Sequence, residues 1–558
     1  MIYSWSDAST RLPVFTLGEW IRVLSLPLVA TILLVMVIVW GTSGFSVRDV
    51  SRPRIRGNLP IFLTVTVSCL LAAVGTISII DRFELHLALP IILAFTALLA
   101  VIIFSVTRTE KALLIFFIIL PVLEFICLNL RTSLNMKGSV LILPAEFIGF
   151  PMPRVAWGQG FAISGIGHFV AMPSEVLFIA VISLGFLLTM LTNRARWVRT
   201  PLDRLILGFV VVCLVSSCFS SDVALSMSYV VEGIITPVIL YYLIINMVKT
   251  QDQLKMVLAA MFFYVILGGA YQLYRVYEST EFAMAALSSE RWIVMSSSVS
   301  SLAFAGTHTL IMLIPVAFVL CSAKEPGLLL RAWAFLVVIL GYAVILLNFQ
   351  RGVWLAAAVQ IVLLVIFSRK VRSFAMVLAP LVLFLGLLFG GWELLAGILQ
   401  MRPTAYLGFG SFDISILERF FVWREAWKLM IAHPLAGIGL GTFASAFVLW
   451  RGYLPMQNAH QLFLGVGAEA GIIAVLLLIT IFAMILKEGV SLMRMKSLDA
   501  TSSKNLVLGL LVGIIGYIIV GVSTGVSLSY KHFILTTLVL WAIIGLLMAY
   551  RNFSHRQI

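Results

Sequence analysis

Apolar residues run along this chain in unbroken stretches of about twenty, each closed by a charged or polar cluster, and they do not alternate every second residue. Such runs lie near 21–40, 59–80, 87–106, 111–129, 173–192, 203–219, 228–248, 253–273, 304–322, 328–348, 352–368, 373–390, 460–486, 505–522 and 533–550. A helix needs about 20 residues to cross a bilayer, so the pattern predicts about fifteen transmembrane helices and excludes a porin-type barrel. The fold class expected is all-α: a polytopic helical membrane protein. Four segments follow from the spacing. Residues 1–110 hold three helices, 111–390 the first nine helices of a membrane core, 391–459 a large, partly helical loop, and 460–558 the last three helices.

Composition agrees with that pattern. The 558 residues are 61% hydrophobic and 11% charged, against roughly 25% charged in soluble domains. The excess of 38 Lys and Arg over 24 Asp and Glu could suit a polyanion partner, but its distribution does not. Arg48, Arg52, Arg54 and Arg56 follow the first run, Arg194, Arg196 and Arg199 the fifth, Lys249 the seventh, and Lys324 and Arg331 the ninth. Arg369, Lys370 and Arg372 follow the eleventh, Lys487, Arg494, Lys496 and Lys504 the thirteenth, and Arg551 and Arg556 the last. Every odd-numbered connection is thus basic, which by the positive-inside rule places the C-terminus in the cytoplasm and the N-terminus and even-numbered loops outside. Nucleic acid is not an expected partner; membrane lipid is. Some twenty mixed residues precede the first run and no small-residue cleavage site follows it, so the first span is expected to stay. The five cysteines fall within or at the ends of apolar runs and show neither metal-ligand spacing nor pairing.

Three outer loops are long, about 130–172, 274–303 and 391–459, and loops of that size usually serve a function. Within the last, residues 416–432 place Ile416, Phe420, Trp423, Trp427 and Met430 at helical spacing, with Arg419, Arg424 and Lys428 between them. This predicts an amphipathic helix at the outer interface, or equally a cap over the bundle mouth. No Walker A sequence occurs, which disfavours ATP-driven transport by this chain. Gly437-Ile-Gly-Leu-Gly441 follows a helix and not a strand, so its glycines read as turn residues and not as a dinucleotide loop. No HExxH sequence, cysteine cluster or carboxylate pair marks a metal site in the outer loops. Glu124, Glu175, Glu232 and Glu469 lie in or near apolar runs and could be proton-relay groups of a transporter, but without an acidic or histidine partner at helical spacing the commoner reading is one buried polar contact each.

Ionisable groups near spans are functional candidates by default. Arg351 sits in the tight outer connection Asn348-Phe-Gln-Arg-Gly-Val-Trp354, where it serves a ligand or snorkels to the interface. Arg419 and Arg424 lie on the loop helix, where the alternative is a solvated face. His460 opens the thirteenth run and either takes a proton from a hydroxyl or anchors the interface. Arginine forks match phosphate oxygens, so these groups together suit a diphosphate-bearing substrate with an apolar tail, the histidine acting on an acceptor hydroxyl.

Arg419-Phe-Phe-Val-Trp423, then Ala432-His-Pro-Leu-Ala-Gly-Ile-Gly-Leu-Gly-Thr-Phe443, then Asn458-Ala-His-Gln-Leu-Phe-Leu-Gly-Val-Gly-Ala-Glu-Ala-Gly471 resemble, in order and spacing, the signature of the O-antigen ligase and polymerase family of bacterial envelope glycosyltransferases. Gln350-Arg-Gly-Val-Trp-Leu355 is similar to that family's earlier arginine motif. The resemblance implies a twelve-helix core with both ends cytoplasmic, the first three spans being an addition. It implies an inner-membrane enzyme moving a glycan from undecaprenyl diphosphate at the periplasmic face, with inversion and no required metal or other cofactor, onto lipid A core or another glycan. Carried across, Arg351 and Arg419 would hold the diphosphate and stabilise the leaving group, and His460 would orient or deprotonate the acceptor hydroxyl. Arg424, Asn458, Trp423 and Trp354 are the accompanying candidates for substrate binding. One departure stands out: where the family commonly has Asn after the histidine, this chain has Gln461. Ligase and polymerase share these motifs and both stay open. A transporter of a lipid-linked glycan or small anion is the reading of another class, and it would call for charges near the bilayer midplane and broken helices in paired halves.

Overall fold

The computed structural model describes residues 100–101, 104, 111–119, 141–144, 169–172, 174–191, 197–284, 307–322, 327–347, 351–373, 414–443, 446, 459–495, 501–523 and 534–556. Two compact units divide the chain, Met1–Met136 with Leu184–Leu188, and Lys137–Ser183 with Thr189–Ile558. In the first, residues 111–119 are helical, with Ala112, Leu113, Phe116 and Phe117 buried. The runs expected at 21–40, 59–80 and 373–390 lie outside the described residues or, for 373–390, nearly so.

The described residues of the second unit are almost wholly helical. The helices from Ser174 onward are α1 (Ser174–Leu191), α2 (Asp203–Cys218), α3 (Val223–Val230), α4 (Thr236–Met247), α5 (Gln251–Met284), α6 (Thr307–Ser322) and α7 (Leu328–Leu347). There follow α8 (Arg351–Phe367), α9 (Ile414–Ala432), α10 (Leu462–Arg494), α11 (Thr501–Ser523) and α12 (Ile534–Arg556). Five of the described segments are long and apolar enough to cross a membrane: Leu225–Met247, Gln251–Ala270, Leu462–Arg494, Lys504–Ser523 and Thr536–Ser554. Among the described residues, the one departure from helical and turn structure is an antiparallel ribbon, β1 (Leu141–Pro144) with β2 (Phe169–Met172), inside the first long connection. Four apolar residues ended by Pro144 are too short a run to nucleate a helix but enough for a strand.

Local chemistry explains the irregularities. Asp222 caps α3 by accepting from the Leu225 N–H at 2.9 Å. Between α3 and α4 the helix widens to a π turn over Val231–Ile235. Pro237 has no N–H to give the carbonyl of Gly233, and the wider turn lets the Thr236 N–H and its hydroxyl (2.7 Å) both reach the carbonyl of Val231. Helix α5 runs to Met284, eleven residues beyond the apolar run that predicted it, because its continuation is polar enough to hide from a hydropathy window yet has no helix breaker.

Close contacts fix the helix directions. A Cβ on Gly513 would lie 2.3 Å from the Met312 carbonyl oxygen and one on Gly509 3.0 Å from the Val316 Cα, so α6 and α11 are antiparallel. Short connections make α6, α7 and α8 a run of antiparallel neighbours, and α8 therefore runs antiparallel to α11 as well. Leu462 packs on Gly521 and Leu511 on Gly489, so α10 also opposes α11. One end of the bundle thus gathers the start of α8 and of α10 with the last turn of α11. The other end carries Arg331, Arg369, Lys370, Arg372, Lys487, Arg494, Lys504 and the 2.6 Å ion pair of Arg551 with Glu488.

Candidate functional site

Helix α10 is broken. At Gly471 the backbone turns to φ 85° and ψ 173°, so residues 462–470 form a short helix and 472–494 a long one. A break of this kind orphans carbonyls on one side and N–H groups on the other. The strand of chain that leaves α9 supplies the partners. The Ile438 N–H donates to Ala468 O (3.0 Å), the Gly439 N–H to Glu469 O (2.9 Å), and the Ile472 N–H to Pro434 O (2.8 Å). The Ser216 hydroxyl adds a second bond to Glu469 O at 2.8 Å, and the Glu469 carboxylate accepts from the Phe443 N–H at 3.3 Å. Gly437, with φ 64°, lies so flat on this seam that a Cβ would come within 2.3 Å of the Glu469 backbone. The glycines of 437–441 thus serve chain packing. The apolar run expected as one span from 460 is in fact a short helix, a sealed break and then the spanning helix.

His460 is pinned from both sides. Ala459 is buried with Val422, Ala426, Phe443 and Ala468 in a small core between α9 and α10. Gln461 caps the short helix, its side-chain oxygen accepting from the Leu464 N–H. Between them His460 takes φ 50°, the sole non-glycine with positive φ among the described residues. Non-glycine residues rarely adopt this region, and such strain, where the surroundings impose it, concentrates at functional sites. The glutamine that departs from the family pattern therefore has a local task as an N-cap.

Arg419 reaches out of α9 to the end of α11. Its Nη1 donates to the carbonyl of Ser523 at 2.7 Å, satisfying a C-terminal acceptor at the negative end of the helix dipole. Two residues after His460, Leu462 packs on Gly521 in that same final turn. The last turn of α11 is therefore where the arginine of the loop helix and the histidine segment come together, and the start of α8, with Arg351, lies at the same end of the bundle. Trp354 sits one turn into α8 and donates its indole N–H to Ile345 O at 2.8 Å, bracing α8 on α7.

The other candidates are placed differently. Trp423 follows Arg419 by one turn on the same side of α9; its indole N–H is buried without an acceptor among the described residues, and its ring meets Phe420 edge-on at 5.5 Å. Arg424 points elsewhere: it is exposed, lies 3.1 Å from Glu425 Oε1, which also holds Lys428 at 3.0 Å, and covers the Phe421 ring at 5.3 Å. Asn458 lies outside the described residues. The face α9 buries also differs from the stripe read in the sequence. Val422, Ala426 and Met430 pack inward, whereas Phe420 and Trp427 are 59% and 54% exposed. Small side chains let α9 approach α10 closely, and the bulkier residues that dominate the hydropathy pattern are left outside.

A bundle with helices of this length and apolarity defines a helical membrane protein. Residues 334–479, running from α7 through α8 and α9 into α10, are similar to the family model described as O-antigen ligase. That stretch encloses Arg351, Arg419, His460 and the seam at Gly471. No curated protein matches the chain significantly.

Proposed function

We propose that this protein is a glycosyltransferase of the inner membrane that moves a glycan from undecaprenyl diphosphate to a hydroxyl acceptor at the periplasmic face, with inversion and without a metal. The observation that carries the reading is the convergence on the last turn of α11, where Arg419 is bonded and the His460 segment is packed. Basic residues crowd the opposite end of the bundle, which supports a periplasmic location for the site under the positive-inside rule.

In this reading Arg419 spends one donor on Ser523 and keeps the rest of its five N–H groups for phosphate oxygens. Anchored so, it meets the growing charge on the leaving diphosphate without reorganising, the situation in which a fixed donor stabilises a transition state most. Arg351 serves the same diphosphate from the start of α8. His460, fixed by the cap and by the core beneath Ala459, orients the acceptor hydroxyl or takes its proton as the new glycosidic bond forms. Trp423 and Trp354 offer ring surface to the sugar or lipid, and Arg424 with Asn458 extends the site at its rim. The transporter reading gains nothing from the broken helix: the polar groups freed at Gly471 are bonded to the 434–439 stretch.

The test is to incubate the purified protein with its host's undecaprenyl-diphosphate-linked repeat unit, with and without lipid A core, and follow the donor by mass spectrometry. Transfer that requires core marks a ligase, and chains that lengthen on donor alone mark a polymerase. A donor left intact with every hydroxyl acceptor tried overturns the proposal.

A further inference from the structure

At the end of α10 remote from His460, Leu486, Lys487, Val490, Ser491 and Arg494 line a groove of about 480 Å³. These residues recur at one, three and four positions and so form a single face of the helix. Neither Lys487 nor Arg494 has an ion-pair partner among the described residues. The neighbouring carboxylate of Glu488 is engaged by Arg551 at 2.6 Å. Among the described residues, the groove thus holds two cations without an acidic partner and a hydroxyl above an aliphatic floor. That floor continues along α10 through the exposed side chains of Ile479 and Leu476, into the part of the helix apolar enough to cross a membrane.

We propose that this groove binds an anionic phospholipid. The phosphate sits between Lys487 and Arg494, with Ser491 donating to one of its oxygens, and an acyl chain follows Val490, Leu486, Ile479 and Leu476. Charge complementarity selects an acidic headgroup, and the continuous apolar track selects a lipid over a soluble anion. A free phosphate would satisfy the cations but leave the track empty. Basic grooves at membrane level hold acidic headgroups through the same combination.

The experiment is native mass spectrometry of the full-length protein in detergent, titrated separately with phosphatidylglycerol, phosphatidylcholine and inorganic phosphate, with thermal unfolding followed in parallel. Wild type should retain phosphatidylglycerol and unfold at a higher temperature in its presence. With each cation near the surface contributing a comparable share, Lys487→Gln/Arg494→Gln should bind phosphatidylglycerol about thirtyfold more weakly, with phosphatidylcholine binding unchanged. Val490→Asp, which sets a carboxylate on the floor and leaves both cations in place, should also release the lipid. The lipid-free melting temperatures of the variants report whether they fold. Equal phosphatidylglycerol binding by the double variant overturns the proposal. So does inorganic phosphate that stabilises wild type as much as the lipid does, since the groove would then be an ion site.

Discussion

Gln360 repairs a gap that Pro315 makes in the neighbouring helix: its side-chain amide donates to the carbonyl of Ile311 at 2.7 Å. Proline cannot bond the carbonyl four residues before it, and in an apolar bundle that acceptor has no water to turn to. The same amide reaches Val512 O on α11 at 3.1 Å, so one side chain joins α6, α8 and α11 below the site.

Gln360→Leu should therefore lower stability by about 1–3 kcal/mol, the cost of leaving a buried acceptor unmet. The same change in a Pro315→Ala background should cost less, because the helix then closes its own bond at Ile311. A double-mutant cycle read by thermal unfolding in one detergent checks this, and equal losses in both backgrounds would remove the repair role.

At the seam, Gly471→Ala should be strongly destabilising. The position has φ 85°, and the new Cβ would meet the Leu435 carbonyl oxygen at 2.6 Å, an atom of backbone that cannot step aside. Gly327→Ala is the control, since nothing lies within 4 Å of its Cβ position. Yields of monodisperse protein for the two variants should separate them clearly.

Arg419→Ala and Arg351→Ala should each cut glycan transfer by about 10²–10³. Arg419→Lys should recover only part, because a point charge cannot hold Ser523 and a phosphate with one planar fork. Initial rates with folded, purified variants decide it; near-normal transfer by Arg419→Ala would end the diphosphate role.

His460→Ala should abolish transfer while the donor still binds, if the histidine serves the acceptor as proposed. Arg424→Ala should change the rate several-fold at most, because its guanidinium is exposed and turned toward Glu425 and Phe421. Donor binding and turnover measured on both variants test the contrast, which a ranking by residue type alone would not produce.

Much of the bundle is legible in the sequence because a span needs only a continuous apolar run with polar ends. Runs expected at 203–219, 304–322, 328–348 and 352–368 appear as α2, α6, α7 and α8 with ends shifted by a few residues. The break in α10 leaves no such mark: Gly465, Gly467, Ala468, Ala470 and Gly471 are all compatible with an unbroken membrane helix. The buried face of α9 is only partly legible for a related reason: Met430 of the apolar stripe packs inward, but Val422 and Ala426, with less hydrophobic weight, replace Phe420 and Trp427 there. Arg351, Arg419 and His460 are visible as charges beside apolar runs. What Arg419 grips is not visible, because Ser523 offers a backbone carbonyl, and any residue would have offered the same.

The stretch from Pro434 to Gly439 belongs, by sequence, to a connection. Its amides at 438 and 439 nevertheless close on Ala468 and Glu469, and its carbonyl at 434 holds Ile472. In hydrogen-exchange terms this makes the connection part of the core: Ile438, Gly439 and Ile472 should exchange slowly and lose protection in one step. Opening that seam would loosen the mounting of α9 on α10 and with it the placement of Arg419 relative to His460. The two residues proposed to hold donor and acceptor are mounted on a single frame whose integrity can be followed amide by amide, with no substrate present.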